Sequence, residues 1–239
     1  MKNLIEITYQ EKKIKIAWSF TLLDDLTDDV LFSSLSDQER EIADNFSSHS
    51  RAKEFAAGRY CIKDAFAVYT SGTKPQNITT SAGVWGNPYI EGSDLNISIA
   101  HTDKCVIAVC TSGSFPIGID IEEYKSSNDE LIISQLSDTE KKIAAVSSLD
   151  SEALHILWAA KEAASKLLRT GFRLPMSLFE VSNIIQEQEI WHVYFDSLEV
   201  LSVIAANTKS RIVALALPTG SIIVNGLEAL CIMDKIWKD

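Results

Sequence analysis

The order of helical and strand-like segments constrains the fold of this chain more than any other feature of its 239 residues. A helical apolar stripe spans about residues 51–69, and a second helical segment spans about 151–169 and ends at Gly171. Capping-box sequences at Ser36–Glu39 and Ser137–Glu140 precede these helices. Because short strand-like segments follow each helix, the order predicts two similar α+β lobes.

Turn residues near Ser112–Ser114 mark the expected boundary between the lobes. We therefore expect an N-terminal lobe over residues 1–114 and a C-terminal lobe over 115–239. The sequence shows no repeat that would prove the two lobes to be related, and the stretch from Leu227 to Trp237 fits a helix or a strand equally well. Alternation predicts a hairpin over residues 3–8 and 13–19, and further strands over 78–84, 95–100, 104–111, 116–122, 178–184, 190–195, 200–206 and 211–217.

Composition narrows the class of protein. A net charge of -11 does not favour binding along a nucleic-acid backbone. The N-terminal residues contain no apolar signal-peptide segment, and no apolar run reaches the ~18 residues of a membrane span. We expect a cytoplasmic protein without nucleic-acid or membrane partners. The four cysteines form no Cys-x-x-Cys pair, so neither a zinc site nor a disulfide framework is expected; they are Cys61, Cys105, Cys110 and Cys231.

Two carboxylates interrupt the apolar run Pro116-Ile-Gly-Ile-Asp120-Ile-Glu122. Residues two apart on a strand point to the same side, so Asp120 and Glu122 share one face. Neighbouring carboxylates repel each other unless a cation lies between them, and Mg²⁺ prefers such oxygen ligands. The other interpretation is a solvent-facing strand, which is the more common case for an acidic pair at this spacing.

A second fragment reads Trp158-Ala-Ala-Lys-Glu162-Ala-Ala-Ser-Lys166. Its Trp, Glu and final Lys are four residues apart and therefore share one helix face. Glu162 and Lys166 also fit a plain surface ion pair. Because tryptophan prefers burial, the same face is expected to begin in the interior, which favours a partly enclosed site.

Two shorter fragments are weak when each is taken alone. Trp85-Gly-Asn-Pro-Tyr89 is a turn with two aromatic residues, and His101 ends the strand-like segment Asn96-Ile-Ser-Ile-Ala-His101. In chain order the four fragments are distinctive, and over roughly residues 36–183 the chain resembles the 4′-phosphopantetheinyl transferases of the Sfp/EntD type. The segment Arg51-Ala-Lys-Glu-Phe-Ala-Ala-Gly-Arg59 also resembles the arginine-rich helix of that family.

The resemblance implies an α+β pseudo-dimer of two similar lobes with the site between them. It implies a holo-[acyl-carrier-protein] synthase that moves the 4′-phosphopantetheine arm of coenzyme A onto a serine of an apo acyl, aryl or peptidyl carrier protein. Adenosine 3′,5′-bisphosphate is the other product. Mg²⁺ is the expected cofactor, coenzyme A the co-substrate and a monomer the expected state. Secondary metabolite biosynthesis is the expected context, while the carrier and the pathway stay open.

The same resemblance assigns the metal and the catalysis to the C-terminal lobe. It implies that Asp120, Glu122 and Glu162 hold Mg²⁺ against the pyrophosphate of coenzyme A. Glu162 is also the expected general base for the carrier serine. Lys166, one helical turn later, is expected to reach a pyrophosphate oxygen and to offset developing charge.

The N-terminal lobe is expected to bind the nucleotide end of coenzyme A. His101 matches the family position that contacts the 3′-phosphate. Two departures from the family pattern are Ala100, where many relatives have serine, and Asn87, where some have lysine. The other expected contacts are Arg51, Lys53 and Arg59 for phosphate, and Trp85, Gly86, Asn87, Pro88 and Tyr89 in a loop beside the adenine.

Two other functions remain open at this stage. A Mg²⁺-dependent phosphodiesterase acting on coenzyme A or a related nucleotide would use the same carboxylates to activate water. A non-enzymatic coenzyme A-binding module would need cations more than carboxylates, so the acidic trio argues against it. The final location of labelled pantetheine, on protein or free in solution, separates the transferase from the phosphodiesterase.

Overall fold

The computed structural model describes residues 3–72, 77–146, 151–187, 190–207 and 210–225. These residues form two compact units of helices and antiparallel strands, which confirms the α+β class. Among them, no helix combines the length and the apolar character that crossing a bilayer requires. Cys231 and the ambiguous stretch from Leu227 to Trp237 lie outside the described residues.

The first unit runs to Phe115 and also includes a short strand that begins at Ile222, whereas the second runs from Pro116 to Ser221. The predicted lobes instead placed everything after residue 114 in the C-terminal lobe. That returning strand has only two residues and pairs with a strand at the opposite end of the sequence, with Ile7 opposite Ile223. Local sequence patterns contain no signal for such a pairing. The division of roles between the lobes stays a prediction.

The first unit packs a long helix on an antiparallel sheet. The predicted hairpin is confirmed, with a two-residue turn at Gln10 and Glu11, both of positive φ. The predicted helix over 51–69 is confirmed as α3, and helix α1 was not predicted. The sheet order is β12-β1-β2-β6-β5, with β3 and β4 as a separate ribbon. The bounds are β1 Leu4–Tyr9, β2 Lys12–Leu22, α1 Asp28–Ser33, α2 Asp37–Asp44, α3 His49–Thr70, β3 Thr80–Ala82, β4 Pro88–Ile90, β5 Asn96–His101, β6 Cys105–Thr111 and β12 Ile222–Ile223.

The second unit is also built from one long helix, α6, and an antiparallel sheet. The strand order of this sheet is β7-β11-β10-β9-β8. Helix α6 packs on the sheet through an apolar core that includes Ile156, Leu157 and Val203. Short 3₁₀ turns cover Ser126–Asn128, Gly171–Arg173 and Met176–Phe179. The other bounds are β7 Gly118–Glu123, α4 Asp129–Gln135, α5 Asp138–Val146, α6 Ser151–Leu167, β8 Val181–Glu187, β9 Ile190–Phe195, β10 Leu201–Asn207 and β11 Arg211–Pro218.

In each unit, a buried lysine of the long helix binds the glutamate of the capping box. In the first unit, Glu39 accepts hydrogen bonds from the Ser36 backbone N–H and from Lys63 of α3. Glu39 also binds the backbone N–H and hydroxyl of Thr80, at 2.9 and 2.7 Å. Burial alone would raise the pKa of Glu39, but these hydrogen bonds outweigh it and lower the pKa. Both predicted capping boxes are therefore confirmed as parts of a core, not as surface caps alone.

In the second unit Glu140 makes the equivalent contacts. Its carboxylate accepts hydrogen bonds from the Ser137 N–H at 2.8 Å, Lys161 Nζ at 2.7 Å and the Val181 N–H at 2.9 Å. Glu140, like Glu39, is fully buried. The matching networks show that both units use one internal design, although the sequence carries no visible repeat.

Candidate active site

Strand β7 presents Asp120 and Glu122 to helix α6. Gly118, two residues earlier on the same face, touches that helix so closely that a Cβ would clash with the Ala163 carbonyl oxygen and the Leu167 nitrogen. Lys166 and Trp158 of α6 hydrogen-bond Asp120 and Glu122, respectively, which confirms that the two carboxylates share the face of β7 toward α6.

Asp120 forms the centre of this arrangement. It is only 4% exposed, so the solvent-facing interpretation of the acidic pair is wrong for this residue. Lys166 Nζ donates to Asp120 Oδ1 at 2.6 Å. Lys166 thus pairs with a strand carboxylate, which a plain surface pair along the helix would not do. The second oxygen, Asp120 Oδ2, is buried and has no hydrogen-bond partner among the described residues.

Trp158 and Glu122 meet about two turns nearer the N-terminus of α6 than Lys166. The indole Nε1 donates to Glu122 Oε1 at 3.1 Å. The Trp158 ring packs 5.3 Å from Phe172, centroid to centroid, and contacts the core of the unit. Trp158 was expected to be buried; it is half-buried, packs against the core of the unit, and orients one carboxylate oxygen of Glu122.

Burial shifts the protonation of the two glutamates. It raises the pKa of Glu122 to about 7, with further contributions from the charges of Asp120 and Glu162. It raises the pKa of Glu162 to about 7 as well, with a further contribution from Asp120, while Lys166 opposes the shift. Both carboxyl groups can therefore exchange a proton near neutral pH, which is the property that a general base requires.

The carboxylates at this site are suitable ligands for a hard divalent cation, but their side chains are not positioned to bind one together. Asp120, Glu122 and Glu162 interact electrostatically, and the buried Asp120 Oδ2 is a free acceptor. Within the described part of the chain, however, no three His, Cys, Asp or Glu side chains already converge on one point. Binding of Mg²⁺ would therefore require side-chain adjustment by the glutamates.

Three predicted phosphate contacts lie on α3 in the first unit. Arg51 is exposed in the first turn, and Lys53 Nζ lies 3.6 Å from Asp28 Oδ1. The Arg59 guanidinium lies 4.4 Å from the centroid of the Phe55 ring. Its Nε is buried and has no hydrogen-bond partner among the described residues. Arg59 thus retains donor capacity, whereas Lys53 already has an acidic neighbour.

The predicted adenine loop forms a tight turn into a short strand. Gly86 has φ of +84°, a conformation that favours glycine. Trp85 and Tyr89 are 54% and 42% exposed. Pro88 begins β4 at a position where the sequence predicted only a loop. The backbone carbonyl of Asn87 accepts a hydrogen bond from the Gly83 N–H at 2.7 Å, which closes the turn and leaves the aromatic side chains exposed.

Strand β5 places the last two predicted contacts next to each other on opposite faces. Ala100 is buried at 2% exposure, whereas His101 is exposed at the strand end, opposite Val106. Strand β5 is the terminal strand of its sheet, so the exposed His101 lies at the sheet edge. A serine in place of Ala100 would therefore need a hydrogen-bond partner inside the unit.

Similarity to known proteins agrees with this geometry. The profile of the 4′-phosphopantetheinyl transferase superfamily matches residues 116–214, which include Asp120, Glu122, Glu162 and Lys166. A 4′-phosphopantetheinyl transferase from Bacillus subtilis is 29% identical over 157 residues, which cover 64% of this chain and 69% of the relative. The chain is therefore similar to members of the 4′-phosphopantetheinyl transferase superfamily.

Two further similarities cover shorter segments. The 4′-phosphopantetheinyl transferase Sfp from Bacillus subtilis (strain 168) is 32% identical over 108 residues, which cover 44% of this chain and 47% of the relative. A holo-(acyl-carrier-protein) synthase from Bacillus anthracis, solved in complex with CoA (3',5'-ADP), is 21% identical with a TM-score of 0.36. That match covers 40% of this chain and 92% of the solved chain. A TM-score below 0.5 does not establish a common fold.

The sequence patterns did not identify Gly118, on which the close approach of β7 to α6 depends. The sequence singled out the carboxylates after it but gave the glycine no role. The available signal was a glycine inside a strand, two residues before a carboxylate, which often marks a close approach of backbone. Without that approach, the carboxylate face of β7 would not reach α6.

Proposed function

We propose that this protein transfers the 4′-phosphopantetheine arm of coenzyme A to a serine of an apo carrier protein. The observation that carries the proposal is the ion pair of buried Asp120 with half-buried Lys166, with Glu122 and Glu162 beside it at raised pKa. The names of the Bacillus subtilis relatives, which describe that transferase activity, support it.

The reaction makes specific demands on such a site. The serine oxygen attacks the β-phosphorus of the pyrophosphate, on the pantetheine side, and adenosine 3′,5′-bisphosphate leaves with additional negative charge. The serine proton must go to a base, and the charge on phosphate must be offset. In this proposal Asp120, Glu122 and Glu162 hold Mg²⁺, which when bound neutralises pyrophosphate charge.

Each side chain then has a stated task. Glu162, whose pKa is about 7, accepts the serine proton directly or through water. Lys166 is 28% exposed at its side chain and exchanges Asp120 for a pyrophosphate oxygen when the substrate binds. Trp158 fixes the orientation of Glu122 through the Nε1–H bond.

The nucleotide end of coenzyme A carries three phosphates and an adenine, and the proposal assigns these to residues of the first unit. His101 contacts the 3′-phosphate, and Arg59 supplies the remaining donors with Arg51 and Lys53. The exposed ring of Trp85, with Gly86 to Tyr89, lies along the adenine. We further expect a monomer that acts in the cytoplasm on carriers of secondary metabolite biosynthesis.

Intact mass spectrometry tests the proposal. The protein is incubated with coenzyme A, Mg²⁺ and a panel of apo carrier proteins, and each carrier should gain the mass of one phosphopantetheine. A variant in which the carrier serine is alanine should gain none. Release of free 4′-phosphopantetheine into solution, with carriers unchanged, would instead identify the phosphodiesterase. Coenzyme A binding without either product would identify a binding module.

A further inference from the structure

The segment after α6 turns back along the helix instead of leading away from it. Helix α6 ends in a Schellman motif in which Arg169 has φ of +57°, at a position where glycine is usual. Gly171 also has a left-handed backbone, with φ of +54°. Because two left-handed residues lie so close together, the chain reverses. It places the Phe172 ring against Trp158, about two and a half turns before the end of the helix at Leu167.

Phe172 lies between two other aromatic rings. Its ring centroid is 5.3 Å from that of Trp158, with the planes tilted by 45°, and 5.8 Å from that of Phe179, with the planes at 81°. Distances of this size are typical of favourable aromatic pairs. Phe179 is fully buried in the apolar core of the unit. Phe172 therefore connects a ring that the core fixes to the tryptophan of the candidate site.

The orientation of the Trp158 indole decides how Glu122 can act. The indole Nε1–H donates to Glu122 Oε1 at 3.1 Å, so Glu122 Oε2 is the oxygen left for a further partner. The apolar core contacts one part of this half-buried ring, and Phe172 covers another part. Removal of the Phe172 ring would open space into which the indole can turn, and the turn would release Glu122.

Phe172 contributes little to the core itself. Its side chain is 37% exposed, in a 3₁₀ turn whose other two residues, Gly171 and Arg173, are exposed as well. A phenylalanine that served only the core would be more deeply buried. The position of Phe172 is explained better by its contact with Trp158 than by burial of its own surface.

We propose that Phe172 is a positioning residue, which holds the Trp158 indole against Glu122 and thereby leaves Glu122 Oε2 directed to the bound Mg²⁺. The part that concerns Mg²⁺ rests on the proposed function, whereas the part that concerns the indole does not. Residues that orient a metal ligand typically lower metal affinity or activity about 10- to 100-fold when they are lost. Because Phe172 acts through one more residue, we expect an effect at the lower end of that range.

Solvent exchange of the indole proton tests the role of Phe172 in the full-length protein without metal. With ¹⁵N-labelled tryptophan, NMR detects each indole N–H, and Trp158→Phe identifies the signal of Trp158. Phe172→Ala should make this proton exchange faster, because its hydrogen bond to Glu122 opens more often. Phe172→Tyr keeps the ring and should restore the protection. Tyr194→Ala is the control, because it removes a ring of similar exposure, 36%, from strand β9 and should leave the exchange unchanged.

The Mg²⁺ concentration that gives half-maximal carrier modification tests the effect on the metal. In Phe172→Ala this concentration should rise about tenfold. The kcat at saturating Mg²⁺ and the KM for coenzyme A should change less than about twofold, because the proposed base and phosphate contacts remain. Phe172→Tyr and Tyr194→Ala should keep the Mg²⁺ requirement of the unchanged protein. Thermal midpoints show whether each variant is folded, and if Phe172→Ala is not, Phe172→Leu takes its place with a smaller change in the same direction.

An indole proton that stays equally protected in Phe172→Ala would overturn the inference. Faster exchange with an unchanged Mg²⁺ requirement would also overturn it, because the metal would then not depend on how the indole holds Glu122. An equal change in Tyr194→Ala would show that the unit loosens generally and that Phe172 has no positioning role. A protein that modifies no carrier would contradict the proposed function, and the exchange measurement would still decide whether Phe172 holds the indole.

Discussion

Lys166 places a positive charge beside the neighbouring carboxyl groups of Asp120, Glu122 and Glu162. Its ammonium contacts Asp120 directly and lowers the pKa of both glutamates against the effect of burial. A buried ion pair of this kind is weak evidence for stability, because desolvation offsets most of the attraction. Its presence beside two carboxyl groups of raised pKa is instead typical of a functional site.

Replacement of Glu162 and of Lys166 should have different consequences. Glu162→Gln removes the proposed base and should lower kcat at least about 100-fold, with little recovery at high Mg²⁺. Lys166→Met removes the positive charge near the phosphate and the partner of Asp120 but leaves the proposed base, so it should raise the KM for coenzyme A and lower kcat together. The measurement is carrier modification against substrate concentration, together with the thermal midpoint. Glu152→Gln on the same helix is the control, and normal turnover in the Glu162 variant would remove α6 from the site.

Metal-free protein should become less stable as the pH rises. Glutamate has a pKa of 4.5 when unperturbed and about 7 at Glu122 and Glu162 in the folded protein. Between these values the folded state binds more protons than the unfolded state, so the free energy of unfolding falls with rising pH. Mg²⁺ should therefore raise the melting temperature more at about pH 8 than at about pH 5.5.

Thermal melts at both pH values, with Mg²⁺ or with a chelator, provide the measurement. Glu122→Gln/Glu162→Gln should flatten the pH dependence and remove most of the response to Mg²⁺. An equal Mg²⁺ response in that double variant would contradict the assignment of these carboxylates to the metal.

At the scale of elements, the distance between β7 and α6 determines whether the site exists. The predicted strand and the predicted helix are both confirmed, and spacing alone correctly put Asp120 with Glu122 and Trp158 with Glu162 and Lys166 on common faces. Spacing did not predict that the two faces meet, because that depends on packing across the fold. The family resemblance supplied that step.

The sequence patterns did not predict some of the short elements, and the reasons are physical. Helix α4 has seven residues and shows too few turns for a periodic pattern. Strand β4 begins at Pro88 directly after a Gly-containing turn. Because glycine and proline are typical of turns, the sequence predicted a turn there and no strand. A proline at the start of a strand is nevertheless compatible with the ladder.

Gly118→Ala should disrupt the contact between β7 and α6. The new Cβ would overlap backbone atoms of Ala163 and Leu167, which cannot move aside as a flexible side chain can. We expect a loss of stability of roughly 1–3 kcal/mol from overpacking, together with a loss of transfer activity. Gly58→Ala is the matched control, since its Cβ would meet only the Ile99 Cδ1 atom at 3.1 Å. Chemical denaturation of both variants provides the measurement, and equal stability would contradict the close approach.

At the scale of the whole molecule, the two units share an internal design but differ in chemistry. Each fastens a capping-box glutamate with a buried lysine, Glu39 with Lys63 and Glu140 with Lys161. The carboxylates of Asp120, Glu122 and Glu162 lie beside Lys166 in the second unit and do not contact its Glu140–Lys161 pair. We therefore expect the shared pair to serve folding and the carboxylates beside α6 to serve the proposed reaction.

Removal of one lysine should destabilise the unit that contains it. Lys63→Met leaves Glu39 as an unpaired buried charge, and Lys161→Met does the same to Glu140; each should lower stability by roughly 3–5 kcal/mol. Hydrogen exchange followed by mass spectrometry should show lost protection first in strands β2 and β6 for Lys63→Met, and in β10 and β11 for Lys161→Met. Adding Glu140→Gln to Lys161→Met should recover part of the loss, because the amide oxygen still accepts one backbone N–H without a buried charge. Equal exchange in both units for either single variant would contradict a separate role for each pair and would mean that the two units unfold as one.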